Sequence, residues 1–429
     1  MKAVSTIFLC FVSIFTWSSS STLSKTYSDF LDPMVRDGFV AAYYLAVAQD
    51  GVIEVDRGLG ANGAIDHVDP DKHTSFALFS LSKPLVSVAV LKLVDEGLVE
   101  LDAPLSRYLP EFEGVRLEDG TDVGSALKVV NLFTHTAGFT HNKDFRGKGA
   151  LAEMYQSENL FTLESISNEN HGGSTALAEQ VSKLASLPLT SMPGSRFEYS
   201  VSTDVLGRLA EVVSGKRLDS FLEETLFKPL AMEGTGFFRS ENSTSNRAVL
   251  MKPLIRTFPT PGNYQRFEPH PPFSKGAAPG LGETVGLLSG GSGLLSNGKD
   301  MMRFADFLLN GMLLEDGTYF LSRELKSKFF THQLSREMGD WPLAEKMPYA
   351  ANDGLSLGLS IRPSIAGGIW DQDEVGVDFL YWSGFASSVL WIDVENNVAG
   401  IFLSQIRPAQ QYLVDQLDDI ADNFRGAGQ

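Results

Sequence analysis

Phe79-Ser80-Leu81-Ser82-Lys83-Pro84 places a hydroxyl and an amine three positions apart at what reads as the start of a helix. A helix advances 3.6 residues per turn, so positions three apart lie side by side and the Ser80 oxygen can meet the Lys83 nitrogen. Such a pairing can make a serine nucleophilic. From Ser80 to about Glu96 the residues Leu81, Leu85, Val86, Val88, Ala89, Val90, Leu91, Leu93 and Val94 are apolar on nearly every face. That is the pattern of a helix buried inside a sizeable domain. Gly97 ends it. Pro84 would cost about 3 kcal/mol in a helix interior but little in the first turn, which supports a start near Ser80. A start there also leaves free N–H groups and the positive dipole end beside the Ser80 oxygen. A lone Ser-x-x-Lys recurs by chance in chains of this size, so its chemistry needs company elsewhere.

With 429 residues, 43% hydrophobic and 21% charged, the chain can build a real core as one large domain or as two or three average ones. The formal charge of −18 excludes nucleic acid as a partner, because binding it needs a basic face that displaces counterions. Lys2, the mostly apolar run Ala3 to Phe15 and the small residues Thr16-Trp17-Ser18-Ser19-Ser20-Ser21 predict an export signal over 1–21. The expected location is therefore periplasmic or secreted. That run is too short to span a bilayer, which takes roughly 20 apolar residues, and no later stretch reaches this length. No stable membrane insertion is expected once the signal is removed. Cys10, the only cysteine, lies inside the signal, and Ile7-Phe8-Leu9 before it lacks the small residue of a lipoprotein site. The mature chain then has no disulfide, thiolate nucleophile or cysteine-ligated metal.

In chain order, Thr26 to Arg36 reads as a short helix, and Ala41-Ala42-Tyr43-Tyr44-Leu45-Ala46-Val47-Ala48 as a buried strand. Asp50-Gly51 between it and Val52-Ile53-Glu54-Val55 is a hairpin signal. Beyond Leu98 the pattern turns helical and loop-rich: a short helix from Val129 closed near Gly138, helical segments between 149 and 192 with a polar break over Asn168 to Ser174, and a helix from Thr203 to Ser214. The run from Pro253 to Gly282, with Phe258, Tyr264, Phe267, His270 and Phe273, reads as the wall or lid of a pocket. Gly290-Gly291-Ser292-Gly293-Leu294-Leu295-Ser296 leads into a helix from Lys299 to Asn310. Strands return at Leu355 to Ile361, Ser388 to Asp393 and Asn397 to Leu403, and an amphipathic helix from Pro408 to Arg425 follows. The predicted fold is α+β: an antiparallel sheet from both chain ends, flanked by helices, with a mainly helical region inserted between.

Three pieces line up in this order: Ser80-Leu81-Ser82-Lys83, Tyr199-Ser200-Val201 after Pro193-Gly194, and Trp382-Ser383-Gly384 on a strand before Phe385. With Leu132-Phe133-Thr134-His135-Thr136-Ala137-Gly138 they give the chain a pattern that resembles the serine β-lactamase-like superfamily. That group includes class C β-lactamases, D-alanyl-D-alanine peptidases and the family VIII carboxylesterases; Ser-x-x-Lys is the first motif of the wider penicillin-binding group. The resemblance covers nearly all of the mature chain. It implies a β-lactamase/transpeptidase-like domain over 22–429, with the sheet from about 22–100 and 340–429 and the helical region over about 101–339. It implies that Ser80 attacks a carbonyl and carries the acyl group, while Lys83 and Tyr199 share the proton work. A lysine ammonium beside a phenol favours phenolate, and which of the two takes the serine proton stays open. The oxyanion would sit between the backbone N–H groups of Ser80 and Phe385, with Trp382, Ser383 and Gly384 on the substrate side.

Two departures narrow the expectation. Val201 stands where β-lactamases and peptidases of the group carry Asn, and Trp382 stands where their third motif carries Lys or His. Losing that cation removes the usual partner of a β-lactam or peptide carboxylate. Trp382 looks like the Trp-Gly-Gly variant of the esterases, so the resemblance points to a small-molecule ester or amide substrate, with an ester favoured. The other outcomes are a β-lactamase or D-stereospecific peptidase, and a non-catalytic relative that binds the envelope. No cofactor or metal is expected. His135 and His141 lack the spacing of helical zinc sites and His135 reads as structural; Asp371, Asp373, Glu374 and Asp378 lack the calcium-loop spacing and read as a solvated loop. No Gly-x-Ser-x-Gly occurs, which counts against an α/β-hydrolase triad.

Overall fold

The Asp50-Gly51 turn is the first local prediction that the structure meets. Both residues have left-handed backbone, with φ of +50° and +75°, the geometry of a two-residue hairpin that matches strand twist. It joins β1 (Ala42–Gln49) to β2 (Val52–Gly60). This computed structural model describes residues 28–29, 31–36, 40–60, 69–145, 147–167, 174–237, 248, 251–253, 267–269, 287–334, 354–363 and 377–406. The expected export signal, most of the aromatic run over 253–282, the acidic residues 371–374 and the helix over 408–425 lie outside the described residues.

Five further strands complete one sheet: β3 (Gly354–Leu355), β4 (Ser360–Pro363), β5 (Val377–Ser383), β6 (Val389–Asp393) and β7 (Val398–Ser404). The strand order is β2-β1-β7-β6-β5-β4-β3, antiparallel at every pairing. The α+β class with a mainly antiparallel sheet flanked by helices therefore holds. One expected strand divides: Leu355 to Ile361 is split into β3 and β4, because Gly358 turns the chain with φ of +112°. Ser87 packs so tightly against Gly358 that a Cβ there would lie 2.5 Å from the serine Cβ.

Both faces of the sheet are covered, which explains why β1 reads as a continuous apolar run and not as an alternation. Side chains alternate between faces along a strand. Tyr44, Ala46 and Ala48 join the large core under the helices, while Tyr43, Leu45 and Val47 meet Leu31, Met34 and Val40 on the other face. Residues 31–36 are helical, as expected of the segment before β1. In β5 the same alternation sends Leu380 and Trp382 toward the helices and Phe379 and Tyr381 away from them.

The helices that matter for the site are α1 (Ser82–Asp95), α2 (Val129–Phe133), α3 (Ser202–Ser214) and α4 (Gly298–Leu309). Helix α1 packs against α3, and α4 lies on β7, β6 and β1. Glycine at the start of α4 is a packing requirement, since a Cβ on Gly298 would fall 2.0 Å from the Tyr44 ring. A short antiparallel ribbon of Phe76–Ala77 and Leu295–Ser296 ties the chain before Ser80 to the segment that precedes α4.

His332 links the helical layer to β3: its Nδ1 accepts from the Leu355 N–H at 3.0 Å. Burial holds this imidazole down at about 4. A histidine whose folded value lies below its unfolded value of about 6.5 contributes stability above that value and loses it as pH falls toward 4. About 3 kcal/mol is expected to disappear across this window. Thermal melts at pH 7 and pH 4.5 check it: the melting temperature of His332→Asn should fall less over the interval than that of the wild type, and parallel declines would refute the assignment.

Candidate active site

The residue before Ser80 sets the geometry. Phe79 is fully buried and left-handed, with φ of +46°, a conformation that costs a bulky side chain of order 1–3 kcal/mol and persists only where its surroundings enforce it. It opens a single 3₁₀ turn, Phe79–Leu81, so the α-helix begins at Ser82 and not at Ser80. Ser80 is 8% exposed at this junction. Two other left-handed non-glycine residues, His135 (φ +52°) and Ser387 (φ +66°), flank the same region from α2 and from the turn after β5.

Lys83, one turn on, is 1% exposed. Its ammonium donates to the Gly291 carbonyl at 2.8 Å and lies 5.0 Å from the centroid of the Tyr199 ring. The amine and the phenol that the sequence pairs across 116 positions are thus brought together. Tyr199 is held in a nest of rings: His135 at 4.9 Å, His141 at 5.1 Å and Trp382 at 6.0 Å between centroids. Trp382 is itself 1% exposed and stacks on His135 with an interplanar angle of 10°. Its ring is thus wall and support for the tyrosine.

His135 is the keystone of this nest. Its Nδ1 accepts from the Ser200 backbone N–H at 3.3 Å, which places the ring proton on Nε2. Burial, and then the charge of Lys83, hold its pKa well below the usual histidine range. It is a neutral spacer between Tyr199 and Trp382, in line with the structural role expected of it.

At the end of β5, Ser383 pairs with Val389, and Gly384 donates to Ser388 O at 2.7 Å. A Cβ on Gly384 would lie 2.7 Å from Leu78 O, so glycine lets the strand end abut the backbone two residues before Ser80. The next residue, Phe385, lays its ring 5.3 Å from that of Phe79 and 5.0 Å from that of Phe145. Phe145 and Phe385 are only partly buried, over a small cluster of Ala77, Phe79, Leu163, Leu295 and Ala386. An apolar aromatic surface therefore adjoins Ser80.

Two site residues escape the sequence reading. Asp204, in the first turn of α3, is 2% exposed. It accepts from Ser289 Oγ at 2.5 Å and from the Gly291 N–H at 3.2 Å. Burial raises its carboxyl above the usual range, against the opposing pull of Lys83 and of these two donors. Gly291, whose carbonyl receives Lys83, is the second. The available signal was one acidic residue beside the apolar stripe Val201, Val205 and Leu209, all fully buried.

Comparison with known proteins identifies the family and the fold. The beta-lactamase family profile matches residues 28–422, and the chain belongs to that family of serine hydrolases. Esterase EstB of Burkholderia gladioli is 30% identical over 295 residues, spanning 66% of this chain and 69% of that protein. Among solved structures, EstCE1, described as a hydrolase with promiscuous acyltransferase activity, superposes with a TM-score of 0.71 at 20% identity, covering 94% of this chain and 98% of that one. A class C beta-lactamase mutant gives a TM-score of 0.65 at 15% identity over 94% and 98% of the two chains. At these identities the two structures speak for the fold.

Proposed function

We propose that this protein is an exported carboxylesterase that works through an acyl-Ser80 intermediate. The observation that carries the reading is the Lys83 ammonium poised 5.0 Å from the Tyr199 ring centroid, one helical turn from a buried serine at a strained helix start. Ser80 Oγ attacks the ester carbonyl and passes its one proton to whichever of Lys83 and Tyr199 is deprotonated, the other keeping its own proton, giving a tetrahedral oxyanion between the N–H groups of Ser80 and Phe385. The carbon–oxygen bond to the alcohol breaks, and the alcohol leaves with the relayed proton. Water then attacks the acyl-serine, gives up its proton by the same route, and releases the acid and the free Ser80 hydroxyl. The partly buried Phe145–Phe385 surface presents an apolar wall beside Ser80, and the buried Trp382 stands where a charged acyl substituent would need a cation, which favours an uncharged or apolar acyl group. The similarity to esterase EstB supports the same choice.

Turnover of p-nitrophenyl butyrate against nitrocefin tests the substrate class. A higher kcat/KM on the ester is expected; the reverse order would replace this reading with a β-lactamase or D-stereospecific peptidase. Fluorophosphonate labelling located on Ser80 by mass spectrometry is expected as well. An unreactive Ser80 would leave a non-catalytic envelope-binding relative.

A further inference from the structure

Gly291 touches two buried charges with its own peptide groups. Its carbonyl accepts from Lys83 Nζ at 2.8 Å and its N–H donates to Asp204 Oδ1 at 3.2 Å. A Cβ at Gly291 would lie 3.1 Å from Lys83 Nζ and 2.6 Å from Asp204 Oδ2. The ammonium and the second carboxylate oxygen thus face each other, less than about 6 Å apart, across the gap that the missing side chain leaves. Ser289 fixes Asp204 from the far side at 2.5 Å. An acidic residue in the first turn of a helix is often just a partner for the helix dipole. Here, however, the donors Ser289 and Gly291 come from another segment, and the carboxylate is directed into the space beside Lys83.

We propose that Asp204 is the positioning residue for Lys83, a buried counter-charge that works through the side-chain-free gap at Gly291 to keep the ammonium aimed at Ser80 and Tyr199. The inference rests on the reading of Lys83 as part of the proton machinery. It also gives the Gly290-Gly291-Ser292-Gly293 run a purpose: position 291 must be glycine because any side chain would be driven between the two charges. The titratable groups around Lys83 are Asp204 from α3, Tyr199 from the segment before it and His135 from the end of α2, with His141 behind Tyr199. Of these, Asp204 brings the carboxyl group, with its second oxygen on the Lys83 side of Gly291. A carboxylate beside an ammonium holds it in place by charge, which an amide of the same shape cannot do.

The test is kcat and KM measured separately on p-nitrophenyl butyrate for wild type, Asp204→Asn and Gly291→Ala, each checked for fold by thermal melting. Asp204→Asn preserves shape and can still accept from Ser289. It is expected to lower kcat about 10- to 100-fold with KM within about twofold, a split that the loss of packing alone would not give. Gly291→Ala keeps both groups but forces the pair apart, and the same fall in kcat at little-changed KM is expected. A kcat within about twofold of the wild type in whichever variant folds, or a loss carried by KM, would reduce Asp204 to a packing residue and overturn the proposal. Failure of the esterase reading looks different: Ser80→Ala would then be as active as the wild type.

Discussion

Ser80→Ala lowers kcat/KM for p-nitrophenyl butyrate by about 10⁴-fold or more and leaves the melting curve in place. The size of the loss follows from the chemistry. With the oxygen gone there is no acyl-enzyme, and what remains is the rate that oxyanion donors and binding give an unassisted water. The melting curve is spared because Ser80 sits at a 3₁₀ turn, where alanine is tolerated, and its hydroxyl fills little of the core. The contrast between the two readouts is the check: purified variant and wild type are compared by steady-state kinetics and by thermal denaturation. Equal rates would remove Ser80 from the mechanism; a collapsed melt would show that the serine holds the turn together.

Gly384→Ala is the second large effect, and it comes from the opposite side of the site. The new methyl would meet Leu78 O at 2.7 Å, a backbone atom that cannot rotate away. Either the end of β5 or the chain entering Phe79 must retreat, and both moves separate the Phe385 N–H from Ser80. Loss of one such donor costs about 10²- to 10³-fold in kcat in other hydrolases. The same fall is expected here, with KM changed much less, because the donor acts on charge that appears only after attack. Kinetics on the same ester at several substrate concentrations separates the two parameters. A variant with wild-type kcat would take Phe385 out of the oxyanion site.

What could be read in the sequence was what local rules decide. The Asp50-Gly51 turn is legible because its demand for left-handed backbone is met by residue type alone. Helix α1 is legible because burial on every side leaves a nearly unbroken apolar run. The features that were missed depend on approach in space. The left-handed Phe79, which delays the α-helix to Ser82, reflects packing of its ring against Phe385, a residue from the far end of the chain. Gly358 breaks an expected strand because Ser87 of α1 presses on it. Asp204 gives no motif: its meaning lies in Ser289 and Gly291, which reach it only after folding.

The sheet joins segments that lie far apart in the sequence. Ser404 Oγ donates to Ala42 O across 362 positions, and β1 lies between β2 and β7. Closing so long a loop costs entropy before any contact repays it, which slows the final step of folding. Until the ribosome has released residue 404, β1 waits with an open hydrogen-bonding edge, prone to capture by another strand. On the export route proposed above, such late closure is an advantage: a chain that crosses a membrane as a thread cannot complete this sheet before β7 arrives.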